Sequence, residues 1–164
     1  MIFREIRRKK QQLTEEECIE IMARNTSGVL AVSGDNDYPY AVPLSYVFDG
    51  NKIYFHCAKS GHKLDAIQRN CKASFCVIDQ DLIVPEKYTT YFRSVIAFGK
   101  IHIVQDEQEK RAAIEKLAVK YAPDDSAEGR QQAIDREWAP LCILEMSIEY
   151  ITGKAAIELV NDRS

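Results

Sequence analysis

The sequence is poor in the residues that carry most recognisable chemistry. It has one tryptophan, three histidines and five cysteines in 164 residues. Cys18, Cys57, Cys71, Cys76 and Cys142 form no C-x-x-C pair, and an odd count gives no closed disulfide framework. Cys76 and Cys142 sit among apolar neighbours, where a free thiol behaves as a small hydrophobe. This usage is the one expected of a reducing cytosol. His56, His62 and His102 lack a metal-ligand spacing, so no metal is expected. His56 and Cys57 are adjacent and would face opposite sides of a strand, which argues against a catalytic Cys–His pair. No G-x-S-x-G elbow is present, and no glycine-rich fingerprint follows a strand, which disfavours a serine hydrolase and a Rossmann fold. No apolar run reaches membrane-spanning length, and the first ten residues lack the apolar core of a signal peptide. Positive charge is not in excess either. A net charge of −3 and a pI near 5.7 argue against a general nucleic-acid or membrane-surface binder. The basic run Arg4, Arg7, Arg8, Lys9 and Lys10 reads as a solvated arm within residues 1–12.

What is present suits a single globular domain: 46% hydrophobic residues with 29% charged. Thr14-Glu15-Glu16-Glu17 has the form of a capping box and opens a helix to about Arg24, stopped by Asn25-Thr26-Ser27-Gly28. Val29–Ser33 and Tyr38–Phe48 read as a hairpin, the second strand interrupted by Pro39 and Pro43. After the turn Asp49-Gly50-Asn51, Lys52–Ala58 is a strand. Lys72–Asp79 follows as another, with Gln80–Lys87 a loop or distorted edge. Tyr88–Val104 is one long strand that can bend at Gly99. Asp106–Tyr121 is the clearest helix, Ser126–Trp138 a second, and Leu141–Leu159 one or two strands broken near Gly153. Consecutive hairpins without regular βαβ alternation predict an α+β protein, a mainly antiparallel barrel with peripheral helices.

The most informative stretch is Tyr54–Ile67, YFHCAKSGHKLDAI. It reads as a strand, a polar turn and the start of a helix. A helix N-terminus presents unpaired N–H groups and attracts anions. Ser60 is expected as N-cap, Gly61 admits a ligand to the backbone, and Lys63 adds a full charge. A basic first turn has the wrong sign for a helix start, which favours a phosphate site over a solvated, capped helix. Arg93 and Ser94 would add a guanidinium fork and a hydroxyl if their strand lies near Tyr54–Ala58. Tyr40-Ala41-Val42-Pro43-Leu44-Ser45 would offer main-chain groups to a planar heterocycle.

These segments in this order resemble the FMN-binding split-barrel superfamily of pyridoxamine 5′-phosphate oxidase, and within it the nitroimidazole-resistance proteins, over residues 14–158. The resemblance implies a six-stranded split barrel and a homodimer with FMN at the subunit interface. It implies flavin oxidoreductase chemistry on a small aromatic or nitro compound. Ser60, His62 and Lys63 match the phosphate turn, with Gly61 between them. Arg93 and Ser94 match a later strand approaching the cofactor. Val42, Pro43, Leu44 and Ser45 match the segment along the isoalloxazine edge, with His56 and Ala58 on the neighbouring strand. Trp138 resembles an aromatic that reaches the partner's flavin, and Lys154 a late basic residue. His56 and Tyr46 are the polar candidates for acid–base work near the ring. Ser45 replaces a lysine of the vitamin oxidases, and the end of the chain lacks their arginine-rich motif, which argues against vitamin oxidation. A non-catalytic flavin carrier and a haem-binding or haem-degrading relative are the rival readings on the same fold.

Overall fold

The computed structural model describes residues 3–161. Seven strands form one antiparallel sheet: β1 (Ser27–Ser33), β2 (Pro39–Ser45), β3 (Val47–Asp49), β4 (Lys52–Ala58), β5 (Lys72–Val84), β6 (Thr89–Ile103) and β7 (Leu141–Ala155). Their spatial order is β2-β1-β5-β6-β7-β4-β3. The two outer strands of that order are consecutive in the chain. β2 ends at Ser45, β3 begins at Val47, and Tyr46 alone joins them. One residue spans at most about 3.6 Å, so the sheet must curl until its edges meet. No ladder closes it there, and the result is a barrel with a split.

Tyr46 also explains why there are seven strands where six were expected. Its N–H leaves the β2 direction and is shared between the Thr26 carbonyl at 3.3 Å and the Tyr121 hydroxyl at 3.2 Å. Its ring turns into the core, fully buried, and its hydroxyl donates to the Met22 carbonyl at 2.6 Å. The run read as one strand from Tyr38 to Phe48 is therefore cut in two. Inside the barrel Phe75 receives Tyr46 and Phe55 edge-on, at centroid distances of 4.9 and 5.0 Å. Each such buried ring contributes roughly 1.5–3 kcal/mol.

Other expectations shift for local reasons. β5 does not stop at Asp79. A bulge between Ile78 and Gln80 turns the strand, and it continues to Val84 by pairing with β6. β7 runs unbroken through Gly153 to Ala155, and the remaining turn is a short helix, α5 (Ile157–Asn161). The N-terminal arm touches the sheet near its two described ends, where Phe3 stacks on Tyr150 at 5.0 Å and Gln12 bridges to Lys154, while the basic run Arg4, Arg7, Arg8, Lys9 and Lys10 is exposed as expected.

Four further helices surround the sheet. α1 (Glu15–Arg24) carries the full capping box between Thr14 and Glu17. α2 (His62–Arg69) buries Leu64, Ala66 and Ile67. α3 (Glu107–Tyr121) is capped by Asp106, and α4 (Ala127–Glu137) by Ser126. α3 covers the outer face of the sheet through a second apolar cluster that includes Val104, Leu117, Leu141 and Ile143. No helix among the described residues is long and apolar enough to cross a membrane.

Candidate functional site

β2 is an edge strand, and its ladder to β1 runs without interruption past both prolines. A proline can lie in such a ladder only where its nitrogen points away from the neighbour. Pro39 and Pro43 therefore fix the phase of the strand. Ala41 and Ser45, in the same phase, turn their N–H and C=O groups to the open edge. Side chains alternate as well, with Val42 and Leu44 half-buried and Ala41, Pro43 and Ser45 exposed. The segment thus presents a flat strip of unpaired backbone donors and acceptors, the surface a planar heterocycle needs along its edge.

One end of this strip touches the basic turn. The His62 ring packs on Tyr40 at a centroid distance of 4.1 Å. The His62 Nε2 lies 3.6 Å from Asp35, whose carboxylate is held by Arg69 at 2.6 Å. The helix cap is Gly61 and not Ser60. Leu64 N–H and Asp65 N–H both reach the Gly61 carbonyl, and no side chain caps the helix. Gly61 has φ of 134° and open space where a Cβ would stand, a conformation suited to glycine. An uncapped N-terminus leaves its first N–H groups for an anion. Ser60 and His62 are exposed and Lys63 is half-buried beside them. The Lys63 ammonium is felt by Cys57, but burial and Cys142 push that thiol up to about 12. Cys57 is therefore an inert thiol at neutral pH.

The other end of the strip reaches α3 through Tyr46. The Tyr121 hydroxyl donates to the Thr26 carbonyl while accepting from Tyr46 N–H. Lys120 donates to the Asn25 carbonyl and lies over the Tyr46 ring at 4.2 Å, its pKa lowered by burial. Tyr46 is a core residue, and burial raises its hydroxyl above the ordinary range, so it offers no accessible acid or base. His56 is exposed on the outer face of β4. It borders a cavity of about 310 Å³ that α3 and α4 wall off.

Arg93 and Ser94 do not converge with the basic turn inside one protomer. β7 stands between β6 and β4. Ala58 pairs with Leu141, whereas Arg93 pairs with Ala155 and Ser94 with Lys154. The intervening β7 segment amounts to roughly 45 Å of extended strand. Arg93 instead donates to Asp79 at 3.2 Å, and Asp79 also receives Arg24 and Asn25. That network ends at Asn25, two residues before Ser27, which pairs with Ser45 at the end of the strip. Lys154 is exposed, with its ammonium 5.4 Å from the Phe92 ring. Trp138 is half-buried on the outer-face cluster, with Lys110 and Arg111 over its ring at 4.2 and 5.1 Å. Asp79 and Tyr121 were missed in the sequence. Nothing local marks them, because Arg24 and Asn25 lie 55 and 54 residues from Asp79, Arg93 reaches it across the β5–β6 pairing, and Tyr46 lies 75 residues from Tyr121.

A curled antiparallel sheet split beside an uncapped basic helix turn defines the split-barrel class. The family model described as pyridoxamine 5′-phosphate oxidase matches residues 14–155, and the chain belongs to that family. No curated protein matches the sequence. Several solved structures share the fold. A Bacteroides thetaiotaomicron protein, described as a candidate 5-nitroimidazole antibiotic resistance protein, is 19% identical over 88% of this chain and 86% of that one, with a TM-score of 0.71. An FAD and haem binding protein from Mycobacterium smegmatis is 18% identical, covering 90% of this chain and 73% of that one, with a TM-score of 0.71. An FAD-binding protein from Mesorhizobium loti is 22% identical, covering 89% and 97%, with a TM-score of 0.61. At these identities the likeness is one of fold.

Proposed function

We propose that this chain is an FMN-binding flavoprotein and a cytoplasmic oxidoreductase acting on a small aromatic or nitro compound as a homodimer. One observation carries the reading: the open backbone strip of β2 ends against the uncapped, basic N-terminus of α2, joined by the contact of Tyr40 with His62. The residues fit the cofactor's two ends. Ring nitrogens and carbonyls match the outward N–H and C=O groups of Ala41 and Ser45. A phosphate matches the first N–H groups of α2 with Lys63 beside them. The family and its flavin-binding neighbours support the same ligand class. FMN, when bound, supplies the hydride or electron chemistry, and the chain holds the phosphate, aligns the ring and shields one face. Arg93, Ser94 and Lys154 lie on a different surface of the protomer. In a dimer they would serve the partner's site. Five free cysteines agree with a reducing compartment.

The test is titration of purified protein with FMN, followed by flavin fluorescence, for the parent and Lys63→Glu. Reversing charge beside a dianion is expected to cost about 1.5–3 kcal/mol, roughly ten- to hundredfold in Kd. Equal dissociation constants would remove Lys63 from the site. A Soret band in place of flavin bands would select haem. Reduction of bound FMN by a nicotinamide cofactor, then turnover with a nitroaromatic, separates an enzyme from a carrier.

A further inference from the structure

The cavity under α3 and α4 is not used by any part of the flavin cradle, yet it shares Tyr121 with the end of β2. Tyr121 stands in both places. Its hydroxyl fixes Tyr46 at the end of the strip, and it lines the cavity together with His56, Leu117 and Ile134. The volume of about 310 Å³ is at the small end of ligand sites, ~300–1,000 Å³, and too small for a dinucleotide. Ala118, Ala122 and Ala133 line it as well. Small side chains on both helices keep the space open where larger ones would fill it.

Charge narrows the occupant. Asp125, Glu137 and Arg130 stand at the cavity with His56. The Arg130 guanidinium is spent on the Ala122 and Asp125 carbonyls, which close the end of α3. Asp125 and Glu137 are exposed and Arg130 keeps its charge while it bonds neutral carbonyls, so the mouth of the cavity carries a small net negative charge, screened by solvent, that disfavours an anion relative to a neutral ligand. A dianionic phosphate or a carboxylate is the wrong ligand here. A neutral ring loses nothing to these charges and gains the apolar walls.

We propose that the α3–α4 cavity binds an uncharged monocyclic aromatic compound against His56, as the reaction partner of the flavin. The proposal rests on the flavin reading and deepens it by placing the second ligand and fixing its charge. His56 offers the occupant a hydrogen bond from the strand side, and the helices supply the apolar contact.

The probes are benzyl alcohol and benzoate, which share a ring and differ in charge, followed by NMR on the full chain with and without FMN. Benzyl alcohol is expected to shift the His56 imidazole signals, and benzoate to bind at least tenfold more weakly. Ala133→Phe, placed on the exposed side of α4, is expected to weaken benzyl alcohol at least tenfold and leave the FMN Kd unchanged. Glu137→Gln is expected to strengthen benzoate several-fold and keeps the test decisive if Ala133→Phe misfolds. Benzoate binding as tightly as benzyl alcohol, or shifts that avoid His56, would overturn the assignment. Benzyl alcohol binding at His56 in a protein that never takes up FMN would overturn the flavin reading and the partner role, while the aromatic site itself would stand.

Discussion

Asp79 shows how much one side chain holds in this barrel. Its carboxylate is 7% exposed and receives Arg24 at 2.5 Å and Arg93 at 3.2 Å, with Asn25 at 2.7 Å. Hydrogen bonding from Arg24, helped by Asn25 and Arg93, outweighs burial and holds its pKa down at about 2. The folded value lies below the unfolded one. The stabilisation is therefore complete above about pH 4 and is lost as pH falls from 4 toward 2. A depression of this size is worth on the order of 2 kcal/mol. Asp79→Asn is expected to be less stable at pH 7 by a similar amount, because two guanidinium groups lose their carboxylate. It is also expected to show a shallower loss of stability between pH 5 and pH 2.5. Urea unfolding at both pH values checks this, and parallel pH profiles for parent and variant would refute it.

At the level of elements, Gly99 decides how β6 and β7 cross. The pairing slips between Phe98 and Gly99, so that Phe98 faces Tyr150 and Gly99 faces Ile148. A Cβ at Gly99 would sit 2.0 Å from the Ser147 carbonyl oxygen. Backbone is on both sides of that contact, so no rotamer relieves it. Gly99→Ala is expected to cost about 3 kcal/mol, read as a lower urea midpoint with an unchanged slope. This glycine was legible in the sequence as a place to bend, because it interrupts a run of β-branched and aromatic residues. The capping box of α1 and the strand Lys52–Ala58 were equally legible, since each is written within seven residues. The split at Tyr46 was not. Val-Pro-Leu-Ser-Tyr-Val-Phe alternates well enough for one strand, and only the distant Thr26 and Tyr121 pull the chain out of it. The same holds for Arg93. A strand can be recognised from its residues, but its neighbours are a property of the sheet order, and β7 comes fifty residues later.

At the scale of the whole molecule, the β5–β6 hairpin projects beyond the barrel. β7 follows β6 only as far as the pair Arg93–Ala155, while β5 and β6 stay paired out to Val84 and Thr89. A free two-stranded arm is marginal in water. This one exposes Leu82 at 54%, Ile83 at 70% and Tyr88 at 99%. Apolar side chains gathered on a projecting arm mark an association surface, and the arm starts at Arg93, whose surface stays apart from the basic turn in one protomer. If the proposed dimer forms through this arm, assembly and flavin affinity are linked. The parent is expected to sediment at micromolar concentration with twice the 18.7 kDa chain mass. Ile83→Lys combined with Tyr88→Ser is expected to shift the protein toward monomer and to weaken FMN binding, although neither residue belongs to the strip or the turn. The linkage also runs backwards, since a ligand shared by two protomers stabilises their association. Added FMN should therefore restore dimer to the variant in a concentration-dependent way. A parent protein that binds one FMN per chain while sedimenting as a monomer would exclude the interface site and return the whole cofactor to β2, the α2 turn and Lys63.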